Sequence, residues 1–281
     1  MPQSFRSPRK VARRFKYLPL IAGKVKNWPR FMYNYAWGVT PKDAYVFRNG
    51  ARLKLGRAID HVPVIEIFLQ EEYGVVPNDS TIIDLGANIG TFSVYAAVTA
   101  RNVRVYAYEP LKAFYDLMLE NVRANGCERA VECFNYAVAG DSKPRRLAVE
   151  GTDFFFPTLV GAEKEEGGVR SIEVPCVTLA GIVESNRIEA VDLLKMDCEG
   201  AEYEILYNAP PALFPRIKEI RMEYHNLDAD GQNVEALREF LQSNGYAISL
   251  LKANTPTNGS LWAERSPLTV ARREDAPHVE R

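Results

Sequence analysis

The first 42 residues contain no acidic side chain, although they carry ten of the chain's 35 lysine and arginine residues. The chain as a whole is close to neutral, with 36 acidic residues, so positive charge is concentrated at its start. Aromatic residues interleave with these charges, and this combination suits adsorption to an anionic membrane face. We therefore predict a basic arm over residues 1–42 that lies outside the core, either as a solvated charged segment or in contact with a membrane surface. No base-reading module is found elsewhere, which argues against nucleic acid as a partner.

Cysteine is scarce as well, because the chain has four and none of them forms a C-x-x-C pair. Four scattered thiols are too few for a disulfide scaffold in a chain of 281 residues, and they suit a reducing compartment. The longest apolar run near the start, residues 17–23, contains Pro19 and is too short to cross a bilayer. These features predict a cytoplasmic protein, with the inner membrane face as the surface that the basic arm would bind.

Residues 43–76 carry the signals of a small cap that precedes the main sheet. Residues 45–55 alternate around Asn49-Gly50, which predicts a hairpin with a type I′ turn. The apolar spacing from Val62 to Tyr73 predicts a short helix that ends at Gly74.

From residue 77 onward the pattern changes to alternating strands and helices. This alternation predicts a doubly wound, mostly parallel α/β sheet with right-handed crossovers. The predicted parallel strands cover residues 81–84, 103–108, 131–136, 191–196 and 217–223, and the predicted helices cover residues 91–99, 111–125 and 234–243. The main domain is expected to span residues 77–264 and to be followed by a frayed tail over residues 265–281.

Two antiparallel strand pairs interrupt the alternation. Residues 145–149 and 170–177 flank an insertion that contains three consecutive phenylalanines, Phe154 to Phe156, and residues 247–251 and 260–263 form a terminal hairpin. Long loops in such sheets commonly form the variable wall of the site. The phenylalanines are therefore expected either to contact the substrate or to cover the edge of the core.

The stretch Ile82–Phe92, IIDLGANIGTF, runs from an apolar strand into a turn of small residues. Gly86 and Gly90 lack a Cβ atom and can lie against a ligand, and Asn88 tolerates left-handed backbone geometry. In a doubly wound sheet, ligands bind beyond the carboxyl ends of the strands. A dinucleotide fingerprint that begins at Gly86 also needs glycine at positions 88 and 91, where the chain has Asn88 and Thr91. The turn therefore predicts a nucleotide site that departs from a nicotinamide site.

Two carboxylates flank this turn. Glu109 ends the second strand, where Pro110 holds it in extended geometry, and its two oxygens can accept hydrogen bonds from both hydroxyls of a ribose. Asp84 lies two residues before Gly86, where its charge would oppose a pyrophosphate but favour the amino group and the sulfonium of S-adenosylmethionine (SAM). These residues favour SAM over NAD. The alternative is that Asp84 only caps the turn and Glu109 only caps a helix.

Together with three further segments, the turn resembles the FkbM family of SAM-dependent methyltransferases. The segments that carry the resemblance are Asp84–Gly90, Glu109–Pro110, Lys195–Glu202 and Glu223–His225. The resemblance implies a seven-stranded Rossmann-like methyltransferase sheet, SAM as the methyl donor, and an acceptor hydroxyl on a sugar, glycolipid or related natural product. The family's cofactor positions fall on Asp84, Gly86, Asn88, Gly90 and Glu109.

Acidic residues and a histidine follow the ends of the fourth and fifth parallel strands. Asp197 and Glu199 come after the strand over residues 191–196, and Glu223 and His225 lie at the end of the next strand. Because the tips of adjacent parallel strands are neighbours, we expect these four side chains to gather near the methyl group. Such crowding of titratable groups is typical of functional sites.

Three roles are open for this cluster. His225 is the preferred general base because its unperturbed pKa lies near neutrality, with Asp197 as the alternative base and Glu223 orienting the base or the acceptor. Alternatively, Asp197, Glu223 and His225 bind a divalent cation, which is not the expected arrangement, or His225 is simply a partly buried histidine. Lys195 is expected to pair with these acids, and Glu202 to accept hydrogen bonds from N–H groups at a helix start.

The predicted activity is transfer of a methyl group from SAM to a hydroxyl oxygen of a sugar, glycolipid or related natural product. A nicotinamide-dependent oxidoreductase is the first alternative, which Asn88 and Thr91 disfavour. A catalytically silent nucleotide-binding module is the second, and it would need only the cofactor residues.

Overall fold

The computed structural model describes residues 8–149, 159–160, 170–227 and 229–266. The three phenylalanines and most of the insertion, together with nearly all of the tail, lie outside these residues, so what is predicted for them stays a prediction. The chain divides into two compact units. The N-terminal unit comprises the chain up to Ser80 together with Gly86–Tyr136, and the C-terminal unit comprises Thr81–Leu85 together with the chain from Ala137 onward. The predicted domain boundaries stay a prediction.

Helices and strands alternate through both units. The α-helices of the described residues are α1 (Pro8–Arg14), α2 (Leu18–Lys24), α3 (Trp28–Trp37), α4 (His61–Val64), α5 (Thr91–Thr99), α6 (Lys112–Ala124), α7 (Leu179–Ser185), α8 (Glu202–Tyr207) and α9 (Val234–Ser243). The strands are β1 (Tyr45–Val46), β2 (Arg52–Leu53), β3 (Thr81–Leu85), β4 (Arg104–Tyr108), β5 (Val131–Phe134), β6 (Ala137–Val138), β7 (Arg145–Val149), β8 (Leu159–Val160), β9 (Arg170–Val174), β10 (Cys176–Val177), β11 (Val191–Met196), β12 (Ile217–His225), β13 (Tyr246–Ala253) and β14 (Asn258–Arg265).

Seven strands form one mixed sheet in the order β13-β14-β12-β11-β3-β4-β5. β11 pairs in parallel with β3 and β12, β4 pairs in parallel with β5, and the hairpin of β13 and β14 joins β12 antiparallel. Ile82, Ile83, Val191 and Leu193 are completely buried, as expected for apolar strands that are covered on both faces. The predicted α/β fold with a terminal antiparallel hairpin is confirmed.

The prediction that residues 1–42 lie outside the core is wrong for the described part of this segment. Ile21, Val25 and Phe31 are completely buried, and Val25 forms a β-bridge with Phe47. The many basic residues conceal a few apolar ones that pack inward: Ile21 lies in the helix over Leu18–Lys24, and Val25 follows that helix with extended backbone. The segment therefore contributes to the core of the N-terminal unit.

The cap hairpin forms, but its turn is not the predicted type I′. β1 and β2 pair antiparallel with Tyr45 opposite Leu53. A type I′ turn needs positive φ at both central residues, and φ is positive at Gly50 (97°) but not at Asn49. Gly50 N donates to Phe47 O at 3.1 Å instead, so the loop is longer than two residues.

The predicted helix over residues 62–73 is shorter than expected. α4 passes after Val64 into a π-helical turn over Ile65–Leu69, and Gln70 N donates to Ile65 O at 2.8 Å. Several β-branched residues follow one another here, and their restricted χ1 angles lower the preference for a regular α-helix.

Asn121 of α6 and Asn125, the residue that caps the end of α6, hold the backbone around β2 as a neighbouring strand would. Asn121 Oδ1 accepts from Lys54 N at 2.7 Å, and Asn121 Nδ2 donates to Lys54 O at 3.1 Å. Asn125 binds Arg52 N and Arg52 O in the same way, at 2.8 and 2.7 Å. Residues four apart on a helix lie about 6 Å apart, close to the roughly 6.6 Å between alternate residues of a strand. This match lets one helix face pair with strand backbone.

Candidate active site

The turn after β3 has the backbone geometry that its sequence predicts. Gly86, Asn88 and Gly90 all have positive φ, at 74°, 53° and 79°. Gly86 N donates to Tyr108 O at 3.1 Å, and Asn88 N donates to Glu109 Oε2 at 2.8 Å. The turn is thus held by the end of β4 and by the carboxylate that follows it.

Gly90 shows why this turn needs a residue without a side chain. A Cβ atom at Gly90 would lie 2.8 Å from Met118 Cγ, closer than real Cβ contacts come, and the left-handed φ adds strain. Asn121 Nδ2 also donates to Ile89 O at 2.9 Å. α6 therefore packs closely against the turn and fixes its backbone.

Two polar atoms at this turn are buried without a hydrogen-bond partner among the described residues. They are Asn88 Oδ1 and Thr91 Oγ1. Buried polar groups are nearly always satisfied in native structures, so each exception calls for a partner such as water or a ligand. The turn therefore offers a ligand two things: a backbone that it can approach closely, and two side-chain oxygens that can form hydrogen bonds with it.

Glu109 is almost completely buried and already accepts two backbone hydrogen bonds. Besides Asn88 N on Oε2, its Oε1 accepts from Leu111 N at 2.8 Å, so the capping role considered for Glu109 is present. An ionised carboxylate offers about four lone-pair sites. The capping role and the predicted ribose-binding role are therefore compatible in the number of hydrogen bonds that one carboxylate can accept.

Asp84, in the C-terminal unit, forms an ion pair with Lys195. Asp84 Oδ1 lies 3.1 Å from Lys195 Nζ, with side-chain exposures of 0% and 3%. Burial by itself lowers the pKa of Lys195, but the charges of Asp84 and Asp197 outweigh it and raise that pKa, so the lysine stays charged. The sequence predicts that Lys195 pairs with the acid cluster. In the structure, its ion pair is with Asp84, and this pairing compensates the negative charge of Asp84 inside the protein.

Asp197, Glu223 and His225 come together as predicted. One potential ligand atom from each lies within 4.8 Å of the other two. Glu223 and His225 stand two positions apart on β12 and so share a face of the strand. Asp197 follows β11, whose Met196 is in register with Met222 of β12. The parallel pairing of two strands is what gathers these side chains.

Two further carboxylates contact His225. Glu202 Oε1 lies 3.3 Å from His225 Nδ1 and accepts from Cys198 N at 2.9 Å, which confirms the predicted contact with the backbone before α8. Glu199 Oε2 lies 3.5 Å from His225 Nε2. Glu199 adopts a left-handed φ of 51°, an uncommon conformation for a residue with a side chain that is found more often at functional sites.

These neighbours change the protonation of the cluster. Burial lowers the pKa of His225, but the hydrogen bond to Glu202 and the charges of Glu202, Glu199 and Asp197 outweigh it and raise this pKa to about 9. Burial and the charge of Asp197 raise the pKa of Glu199 to about 7. His225 is therefore protonated at neutral pH, which does not favour it as a general base in this state.

Glu199 belongs to the site more closely than its sequence position indicates. Its position after β11 predicts a place in the cluster but does not mark it as a catalytic candidate. The signal in the sequence that could have identified Glu199 is its position next to Gly200, just after a buried strand. A turn that contains glycine at the end of such a strand places its side chains at the edge of the sheet. Its left-handed backbone could not be anticipated from the residue type.

A sheet of this strand order, with a glycine turn after β3 and a carboxylate after β4, defines a Rossmann-like methyltransferase. The family model described as methyltransferase FkbM domain matches residues 84–248, more than half of the chain. The chain belongs to this family of SAM-dependent methyltransferases, as its sequence motifs indicated. Membership argues against the nicotinamide-dependent alternative.

Named relatives agree with this assignment. The chain is similar to methyltransferase sdnD of Sordaria araneosa, at 24% identity over 75% of this chain and 88% of that protein. It is similar to the 31-O-demethyl-FK506 methyltransferase FkbM of Streptomyces tacrolimicus, at 28% identity over 64% of this chain and 77% of that protein. Among solved structures, methyltransferase FkbM of Methylobacillus flagellatus matches 91% of this chain and 60% of that one, with a TM-score of 0.49 and 13% identity.

Proposed function

We propose that this protein transfers the methyl group of SAM to a hydroxyl oxygen of a sugar, glycolipid or related natural product. The observation that carries the proposal is the meeting of Asp197, Glu223 and His225 at the ends of two neighbouring strands. A silent nucleotide-binding module has no need of such a cluster. The relative from Streptomyces tacrolimicus is named for a 31-O-demethyl substrate, which supports an oxygen acceptor.

We assign SAM binding to Gly86, Asn88, Gly90 and Glu109, with a contribution from Asp84. Glu109, at the end of β4, accepts hydrogen bonds from the ribose hydroxyls. Asn88 Oδ1, which is buried without a partner among the described residues, accepts a hydrogen bond from the cofactor. Because Asp84 is paired with Lys195, it orients the cofactor as part of an ion pair rather than as a lone charge.

The reaction is a direct displacement at the methyl carbon. The acceptor oxygen forms a bond to that carbon while the carbon–sulfur bond breaks, and the sulfur keeps the electron pair as S-adenosylhomocysteine leaves. The hydroxyl proton must also depart. Asp197, the alternative base, takes up this proton, while Glu223 and the protonated His225 orient the acceptor oxygen in line with the methyl group, since positioning is the main demand of such a step.

Calorimetric titration with SAM, S-adenosylhomocysteine and NAD tests the cofactor assignment. We expect SAM and its product to bind, and Glu109→Ala to weaken both by about 10–100-fold, because a hydrogen bond to a charged group contributes about 1.5–3 kcal/mol. Glu128→Ala removes an exposed carboxylate from the same unit and should bind SAM like the wild type. Binding of NAD alone, or equal SAM binding by both variants, would contradict the assignment.

Acceptor chemistry is tested with methyl-labelled SAM and a panel of glycans and glycolipids, read by mass spectrometry. The expected product is a methyl ether. His225→Ala and Asp197→Asn should lose this product while still binding SAM, whereas a silent module would give no product with the wild type. Label found on nitrogen or as a carboxylate ester would overturn the assignment to a hydroxyl.

We also propose that the N-terminal segment binds an anionic membrane surface. A cavity of about 330 Å³ is lined by Arg13, Arg14, Lys16 and Tyr17, together with further aromatic and apolar residues and no carboxylate. The exposed aromatic residues of this segment are Phe15, Trp28, Tyr33 and Trp37. Within the described residues no helix has both the length and the apolarity to cross a bilayer, so the proposal concerns contact with the surface of the membrane.

A further inference from the structure

The cavity of the N-terminal unit is lined by basic residues from one segment and by apolar residues from another. We infer that this cavity binds the head group of a single anionic phospholipid, with the phosphate against Arg13, Arg14 and Lys16. The inference rests on the proposed membrane contact and names the lipid group that this contact recognises. At about 330 Å³, the cavity lies at the lower end of the roughly 300–1,000 Å³ that is typical of ligand pockets. It therefore suits a head group rather than a whole lipid.

Arg13 and Lys16 bring positive charge to the cavity that the protein does not itself neutralise. Among the described residues, neither side chain forms an ion pair or a hydrogen bond with a carboxylate. The Nζ atom of Lys16 instead lies 4.5 Å from the centre of the Tyr17 ring, and Tyr17 also lines the cavity. Neighbouring cations repel each other until an anion joins them. The cavity therefore favours a ligand with negative charge.

Arg14 is held in place among the same lining residues. Its Nη1 donates to Ala36 O at 2.8 Å, and its guanidinium carbon lies 5.4 Å from the centre of the Tyr35 ring. An arginine that is already fixed loses little conformational freedom when a ligand binds, and the guanidinium group matches the geometry of phosphate oxygens. Phosphate is therefore the anionic group that we assign to the cavity.

The tyrosines of the cavity add no negative charge to it. Burial raises the pKa of Tyr35 to about 12, and the charges of Arg14 and Arg13 oppose this only in part, so the phenol is neutral at neutral pH. The charge of Glu66 also raises the pKa of Tyr35, but Glu66 does not line the cavity. The cavity therefore keeps the positive charge of its three basic residues.

The remaining lining residues are apolar and come from the segment that leads into α4. They are Ala58, Ile59 and Val62, and all three are half-buried. A free inorganic anion gains nothing from this apolar surface, whereas the first carbons of a lipid chain would cover part of it. Phe15, which lies in the chain between two of the basic residues, is 46% exposed and is available to enter the interface of a bilayer. These features favour a phosphate that is carried on an apolar chain.

The test is calorimetric titration of the full chain with dihexanoylphosphatidic acid below its micelle concentration and, separately, with inorganic phosphate. We expect saturable binding of one short-chain lipid per chain, and weaker binding of phosphate because it lacks the apolar part. Lys16→Gln should weaken lipid binding by about fivefold, the usual effect of removing one basic residue that contacts anionic lipid. Lys26→Gln removes the same charge from an exposed position of the same segment that does not line the cavity. This control should bind the lipid like the wild type.

Flotation with vesicles that contain phosphatidic acid separates this inference from the proposed membrane contact, and SAM binding by both variants shows that they are folded. If the wild type floats but does not bind the soluble lipid, the membrane contact stands on diffuse charge and the cavity site is overturned. Equal lipid binding by Lys16→Gln and Lys26→Gln, or phosphate that binds as tightly as the short-chain lipid, would also overturn it. Saturable lipid binding by a protein that does not float would support the cavity site and overturn the membrane contact.

Discussion

Two glycines of the N-terminal unit show two reasons why a position can require glycine. One reason is a positive φ angle, and the other is a close neighbour that leaves no room for a Cβ atom. Gly90 has both, since its φ of 79° disfavours a side chain and its missing Cβ would meet Met118. Gly126 has only the first, because its φ of 64° is also positive but nothing lies within 4 Å of a Cβ placed there. The two glycines therefore form a natural comparison between strain alone and strain with a clash.

We predict that Gly90→Ala lowers the free energy of unfolding by about 2–3 kcal/mol and Gly126→Ala by about 1 kcal/mol, because a strained φ costs of order 1–3 kcal/mol and only Gly90 adds a clash. Gly90→Ala should also weaken SAM binding, since the turn must shift. Denaturant unfolding and SAM calorimetry on both variants check this. Equal losses of stability and unchanged SAM affinity would show that Met118 yields easily and that the turn does not need its close packing.

At the scale of elements, α6 both supports the cap and fixes the cofactor turn. Asn121 and Asn125 each bind both polar groups of one backbone residue near β2. Asn121 alone also reaches the turn, through Ile89 O. One helix thus connects a packing interaction in the cap with the geometry of the nucleotide turn.

Replacing these asparagines separately distinguishes the two functions of α6. We expect Asn121→Ala and Asn125→Ala each to lower the free energy of unfolding by about 1–3 kcal/mol, because each leaves backbone groups without partners. Only Asn121→Ala should weaken SAM binding, since only Asn121 holds Ile89. Chemical denaturation and SAM calorimetry give both quantities, and a matched loss of SAM affinity in Asn125→Ala would mean that the cap as a whole, rather than one contact, positions the turn.

At the scale of the whole molecule, the uneven distribution of charge predicts where the protein binds. The chain is nearly neutral, but its basic residues are concentrated before the first acid at Asp43. Such a segment is attracted to anionic lipid within about one Debye length, whereas the rest of the chain has no such excess.

We predict that the protein floats with vesicles containing phosphatidylglycerol and not with pure phosphatidylcholine, and that added salt releases it. The double variant Arg13→Gln, Lys16→Gln should bind about fivefold more weakly for each charge removed, since each contributes about 1 kcal/mol near the surface. Arg123→Gln, Lys252→Gln removes the same charge from exposed positions elsewhere and serves as the control. Equal weakening in both double variants, or equal binding to neutral vesicles, would count against a specific membrane face.

The sequence alone determined the strands of the main sheet, the helices α5, α6 and α9, and the backbone of the cofactor turn. β3, β11 and β12 each contain apolar residues that are completely buried, such as Ile83, Leu194 and Ile220. The positive φ values at Gly86, Asn88 and Gly90 follow from residue types that tolerate them. It also determined that Asp197, Glu223 and His225 would meet, because parallel strands align their tips. These properties depend on residues close together in the chain or on a simple rule of sheet topology, so they can be predicted from the amino-acid sequence.

Tertiary structure alone decided which charges pair and which groups hold a proton. Lys195 pairs with Asp84 from a neighbouring strand, and the pKa of His225 is raised because Glu199 and Glu202 lie against its ring. The burial of Ile21 and Phe31 in a segment rich in basic residues was likewise settled by packing partners distant in the chain. Electrostatic energies vary with distance and burial, and neither quantity is present in a sequence until the strands and helices have found their neighbours.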